Sequence, residues 1–184
     1  MKNYLAIPSI LIASLAAWFR PEPPQISGDI REALSHISMV DFQIDDNGHT
    51  VRTLRITGVN VQIVNGMEQT NMHNGAGNLI VGYSEPGFYT DRGGSHNLVV
   101  GTANQWTNYA TGGIVAGCSN TINNMECSIL GGEGNEANGP LSAILGGTAN
   151  MTFNGSHAGT IGGGSMRYAY QMDDFAAGSL YEDN

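Results

Sequence analysis

The stretch "CSILGGEGNEANGPLSAILGGTAN", Cys127 to Asn150, states one pattern twice. S-I-L-G-G-E-G-N returns 15 residues later as A-I-L-G-G-T-A-N: two aliphatic residues, a double glycine and an asparagine. The pattern continues outward, as "GNLIVGYS", "HNLVVGTAN" and "GGIVAGCSN" upstream and as "AGTIGGGS" downstream. Aligned on one glycine, the blocks form a column of Gly82, Gly101, Gly117, Gly132, Gly147 and Gly163, with separations of 19, 16, 15, 15 and 16. Asn104, Asn120, Asn135 and Asn150 each stand three residues beyond a column glycine.

At a rise of about 3.3 Å per residue, a repeat of this length holds two short strands and two turns. One such coil buries almost nothing by itself. Stacked about 4.8 Å from the next, each strand pairs with its copy and equivalent side chains form ladders. The spacing therefore predicts an all-β fold, a parallel β-solenoid of about 15–16 residues per coil. Glycine at the corner permits positive φ or close backbone approach, and asparagine suits a turn whose amides bond along the stack. A weaker second strand places Ile122, Ala137 and Phe153 at similar offsets.

The aliphatic residues are consecutive: Leu98-Val99-Val100, Ile114-Val115-Ala116, Ile129-Leu130 and Ile144-Leu145. Neighbouring strand residues point to opposite faces, so both faces are apolar. One face fills the coil interior. The other either meets a second copy of the chain, making a homo-oligomer, or stays as a few tolerated surface aliphatics.

Flanking segments divide the chain into 1–19, 20–66, 67–165 and 166–184. In 1–19, Lys2 precedes the apolar run "YLAIPSILIASLAAWF", which ends in small residues; this reads as a signal peptide or, failing cleavage, an anchor. A secreted or cell-surface location follows from it. After the Pro-rich 20–25, "SGDIREALSHIS" sets Ile30, Ala33, Leu34 and Ile37 on one helical face, with Ser27 as N-cap and Asp29 in the first turn, a short capping helix. "DDNGH" is a turn signal. It leads into a strand in which Leu54 and Ile56 alternate with Arg55 and Thr57. Gly58 shifts the phase, and Val59, Val61 and Ile63 alternate anew. Residues 166–184 read as a tail.

Composition narrows the function. Glycine is 26 of 184 residues while 41 % are hydrophobic, which fits tight turns in a repetitive β structure better than disorder. The net charge of −9 and the absence of any basic run exclude nucleic acid as a partner.

The blocks "GNLIVGY", "GSHNLVVG", "GGIVAG", "NTI" and the two I-L-G-G units resemble the head repeats of YadA-like trimeric autotransporter adhesins. They are similar also to secreted bacterial proteins with tandem G-G-x-x-N-T-A-S-G units, whose repeats are opened by a segment like "ITGVNVQIVNG". The resemblance covers about residues 51–165. It implies a left-handed β-roll, three chains around a common axis, and adhesion or matrix contact at the cell surface. The chain departs from the family in its low repeat count and in units altered to "NEANG" and "NMTFNG". Neither an anchoring barrel nor a coiled-coil stalk follows the repeats in this sequence. The fold carries over better than the self-export mechanism.

Chemistry is sparse. His36, His49, His73, His96 and His157 show no metal-ligand spacing, and no metal or cofactor is expected. "GGEGNEANG" resembles a calcium-binding glycine–aspartate repeat, yet Asn or Thr occupies the Asp positions. Cys118 and Cys127 lie in one coil; the sequence leaves open whether they form a disulfide or remain buried thiols. Neither has a basic neighbour that would make it a nucleophile. Hexapeptide acyltransferases have a different period, and carbohydrate lyases have longer coils, so an enzyme is not expected. The insertion "YSEPGFYTDRGGSHN" projects from the repeats, and Tyr83, Phe88, Tyr89 and Arg92 are its candidates for ligand or surface contact. A plain loop packed on the first coil is the alternative. The expected protein is an extracellular structural or adhesive solenoid, a homotrimer. Alternatives are a glycan-binding or glycan-active β-helix module of the phage-tail type and a self-stacking filament subunit.

Overall fold

The computed structural model describes residues 27–178, so the expected signal segment lies outside the described residues. Backbone contacts divide the chain between Val61 and Gln62 into two units.

In the first unit, α1 (Gly28–Ser35) starts where Ser27 Oγ accepts the N–H of Ile30 at 3.3 Å, with Asp29 in the first turn. The helix stops at Ser35, short of the expected Ser38. From Ile37 onward the aliphatic period changes from 3.6 to 2, and β1 (Ile37–Gln43) pairs antiparallel with β2 (Thr50–Ile56). Register sets Ile37 opposite Ile56 and Met39 opposite Leu54 on one face, while Arg55 lies opposite Ser38 on the other. The alternation expected from Leu54 is thus realised as far as Ile56, with Thr57 just past the strand. The "DDNGH" turn closes the hairpin: Asp45 Oδ1 accepts the N–H groups of Asn47 and His49, each at 3.0 Å, and Gly48 has φ 82°. The second alternation does not become a strand. Beyond Gly58 (φ 76°), residues 59–63 have no strand partner among the described residues, so their period-2 pattern has no ladder to join.

The second unit is the solenoid. One parallel sheet has seven rungs: β3 (Leu79–Val81), β4 (Leu98–Thr102), β6 (Ile114–Cys118), β8 (Ser128–Ile129), β10 (Ala143–Ile144), β12 (Thr160–Ile161) and β14 (Phe175–Ala176). The other has five: β5 (Gln105–Trp106), β7 (Thr121–Ile122), β9 (Glu136–Ala137), β11 (Met151–Thr152) and β13 (Tyr168–Ala169). Every rung but the last of each sheet pairs with its copy in the next coil. Segment 166–176, expected as tail, therefore supplies one more coil: Tyr168 and Ala169 pair with Met151 and Thr152, and Phe175 and Ala176 with Thr160 and Ile161.

Inward side chains form two columns between the sheets. Val99, Val115, Ile129, Ile144 and Ile161 are wholly buried on one side; Ile122, Ala137, Thr152 and Ala169, with Trp106, face them from the other. Each buried Val or Ile contributes about 1.5–3 kcal/mol. Thr152 holds the position expected of Phe153, because Ala137 pairs with Thr152. Its hydroxyl is satisfied by the N–H of Asn138 at 3.1 Å and by Ser142 Oγ at 2.9 Å. Phe153 turns outward and stacks on Tyr170, centroids 4.7 Å apart.

The double glycine resolves into two roles. Val115 pairs with Ile129, but Cys118 bridges Glu133, so the later coil carries one extra residue. Thr148 bridges Ser165 while Ile144 pairs with Ile161, which puts Gly164, not Gly163, above Gly147. The close-contact column is thus Gly82, Gly101, Gly117, Gly132, Gly147 and Gly164. A Cβ on Gly132 would lie 2.0 Å from the carbonyl oxygen of Gly147, and one on Gly147 2.1 Å from that of Gly164. Gly131, Gly146 and Gly163 are the inserted residues; a Cβ there meets nothing within 4 Å.

Candidate interaction surfaces

The asparagine column is internal. Asn104, Asn120, Asn135 and Asn150 are at most 1 % exposed. Each Oδ1 accepts the main-chain N–H of the next column residue: Asn104 from Asn120 at 3.0 Å, Asn120 from Asn135 at 2.8 Å, Asn135 from Asn150 at 3.0 Å and Asn150 from Arg167 at 2.9 Å. Each Nδ2 faces a carbonyl of its own coil and the column glycine's carbonyl of the next, as Asn120 does with Ala116 at 2.7 Å and Gly132 at 3.0 Å. A buried amide with donors and acceptors filled stabilises the stack, and one left empty costs it. These residues hold the scaffold and are closed to ligand.

Outside the solenoid, the seven-rung sheet presents two further columns. Leu79, Leu98, Ile114, Ser128, Ala143, Thr160 and Phe175 form one by register. Val81, Val100 and Ala116 form the other, continued by Leu130 and Leu145. Leu130 and Leu145 are each 52 % exposed and Phe175 71 %. The second apolar face read from the consecutive aliphatics is therefore present, with no part of its own coil covering it.

The inserted loop separates its four candidates. Tyr83, Phe88 and Tyr89 stand in solvent, at 96, 99 and 75 % exposure, with the Phe88 and Tyr89 rings edge to face at 5.7 Å. Arg92 is turned inward. Its Nη2 donates to the carbonyl of Glu85 at 2.9 Å, its Nε to that of Asn104 at 3.4 Å, and its guanidinium lies 5.1 Å from the Trp106 ring centroid. Arg92 thus pins the loop to the second coil and leaves the three aromatics as its outward surface.

Cys118 and Cys127 are both free, Cys127 buried and Cys118 partly exposed. Cys127 points into the coil, where its thiol donates to the carbonyl of Gly139 at 3.0 Å, while Cys118 lies on the outer corner beside Ser119. Burial pushes the Cys127 thiol above its ordinary value. His36 and His96 bond to the carbonyls of Thr57 and Thr70, each at 3.0 Å, and His49 to the Asp45 carboxylate. Among the described residues no three His, Cys, Asp or Glu side chains gather into a metal-sized cluster, and no helix is long and apolar enough to cross a membrane.

One surface escaped the sequence reading: an open polar groove of about 770 Å3 on the turns after the five-rung sheet, into which asparagines of successive coils project. Its only signal was an excess of asparagine in these turns, at Asn108, Asn123, Asn124, Asn138 and Asn154, hidden because asparagine is ordinary in turns and because these residues fall in two columns and not one.

The fold places the chain among the parallel β-solenoids. Compared with known proteins, it matches no family model, no curated protein and no solved structure.

Proposed function

We propose that the chain is an extracellular adhesive module that works as a homotrimer, its solenoids packed side by side through the outer face of the seven-rung sheet. The carrying observation is that face. Leu130 and Leu145 stand half-exposed in line with Val81 and Val100, an aliphatic strip along successive coils. Strips of this kind mark contact between proteins. The similarity of the repeats to trimeric adhesin heads supports three chains, and the apolar N-terminal run supports export. In such an assembly the inserted loop, with Tyr83, Phe88 and Tyr89, remains on the outside and is available to a cell-surface or matrix ligand.

Sedimentation equilibrium of the purified chain tests the reading, with the double variant Leu130→Lys, Leu145→Lys beside it. The native chain sediments as a trimer. The variant sediments as a monomer with an unchanged circular dichroism spectrum, since both leucines lie outside the coil. A monomeric native chain, or a filament that the substitutions leave intact, overturns the trimer.

A further inference from the structure

The groove on the turns after the five-rung sheet is built differently from the buried ladder. Asn123 and Asn138 stack in register one residue past the rungs, while Asn108, Asn124 and Asn154 stand one residue further along their turns; both columns line the groove, with Tyr109 and, from the inserted loop, Asp91 completing it. Its volume of about 770 Å3 lies within the range of small-ligand sites.

The polar atoms here are largely unspent. Asn123 Nδ2 donates to Asn138 Oδ1, and Asn124 Nδ2 to the Asn138 carbonyl at 3.3 Å. Asn123 Oδ1, Asn138 Nδ2 and the amides of Asn108 and Asn154 have no partner among the hydrogen bonds of the described residues. Asp91 uses Oδ1 for the N–H of Gly93 at 3.2 Å and leaves Oδ2 open. An amide offers a donor and an acceptor side by side, and a hydroxyl is both at once. Amides set at successive heights of the stack therefore suit a ligand carrying several hydroxyls.

Charge narrows the class further. No Lys or Arg lines the groove, Asp91 does, and the chain carries a net charge of −9, so an anionic ligand is repelled. Tyr109 is 67 % exposed and held edge to face against His73 at 5.9 Å, leaving aromatic surface for the C–H side of a sugar ring. The groove runs across coils spaced about 4.8 Å apart, which favours an extended chain over a compact molecule.

We propose that this groove binds a neutral oligosaccharide, laid along the stack with its hydroxyls on these asparagines and Asp91 and one sugar ring against Tyr109. The site gives the adhesive reading a ligand class, and it is complete within one chain, so it does not depend on the trimer.

The test is a titration of the full chain with short cello-, manno- and chito-oligosaccharides, beside sulfated and sialylated oligosaccharides. At least one neutral series binds, and Tyr109→Ala and Asp91→Ala each weaken that binding about tenfold or more, Tyr109→Ala with an unchanged melting temperature and Asp91→Ala with a small fall from losing its turn bond to Gly93. Asn154→Ala, on an exposed turn, weakens it less. The Leu130→Lys, Leu145→Lys chain keeps full binding per chain, which separates failure of the assembly from failure of the site. Binding confined to the anionic sugars, no binding at roughly millimolar concentration, or equal binding by Tyr109→Ala and Asp91→Ala overturns the proposal.

Discussion

Asn120 Oδ1 accepts both the main-chain N–H of Asn135, at 2.8 Å, and that residue's side-chain Nδ2, at 3.0 Å. One oxygen thus fixes the height and the rotamer of the next coil's corner, and the same main-chain bond recurs at Asn104, Asn135 and Asn150.

Removing one amide breaks this chain at its link to the next coil, while the main-chain bond to the previous asparagine remains. Asn135→Ala leaves the buried N–H of Asn150 without its partner, costing about 1–3 kcal/mol, and takes one of two donors from the carbonyl of Gly147, which keeps the N–H of Glu133. Chemical denaturation should show a loss of about 2 kcal/mol. Asn135→Asp adds a pH dependence. Burial against the Gly131 and Gly147 carbonyls favours the protonated acid, so its folded pKa rises above the unfolded value of about 3.9. Stability is then kept below about pH 4 and lost as pH rises through the folded value. Denaturation midpoints at acidic and neutral pH read the difference.

Three glycines of one coil form a graded series. Gly131 has open space and no positive φ, so Gly131→Ala should shift stability by less than about 0.5 kcal/mol. Gly134 has open space but φ 65°, and Gly134→Ala should cost about 1 kcal/mol from the backbone alone. Gly132 has φ 84° and a neighbouring carbonyl in the Cβ position, and Gly132→Ala should cost more than about 2 kcal/mol or prevent folding. Thermal melts of the three variants give the order directly.

The two thiols should react unequally. Cys127 is fully buried, donates to Gly139, and is held above its ordinary pKa first by desolvation. Cys118 is partly exposed. Native protein treated with iodoacetamide should carry one alkyl group, on Cys118, by peptide mass spectrometry, and two after unfolding. A bridge between them would give none.

In the hairpin, the hydrogen bond from His49 lowers the Asp45 carboxyl below its ordinary value of 3.8, aided by the N–H groups of His49 and Asn47. A lowered carboxyl contributes stability above the ordinary value and loses it as pH falls through the folded one. The amide signals of Asn47 and His49 should therefore shift in an acid titration with a midpoint below 3.8, and Asp45→Asn should abolish that transition.

How far the sequence could be read depended on whether neighbouring coils constrain one another. Column glycines up to Gly147 and all four ladder asparagines were legible because each must match a copy at fixed height. At "AGTIGGGS" three glycines adjoin, and only the pairing of Thr148 with Ser165 decides for Gly164. The last coil was hidden because Arg167 replaces the asparagine, while main-chain pairing continues regardless of side chain. The helix end and the unpaired 59–63 depend on a partner strand being present or absent, which no local pattern encodes. Of the surfaces, the outer aliphatic strip was visible as consecutive apolar residues. Arg92's inward turn was not visible, since its acceptors are main-chain carbonyls that any sequence supplies.

Since each rung answers only to the rung before and after it, the molecule's size is quantised. Duplicating or deleting one whole unit such as 132–146 leaves every corner matched, so evolution can adjust reach without redesigning the interior. A single added residue is absorbed only at a corner with room for it, as at Gly131, Gly146 and Gly163; within a rung it would set that rung against both of its neighbours.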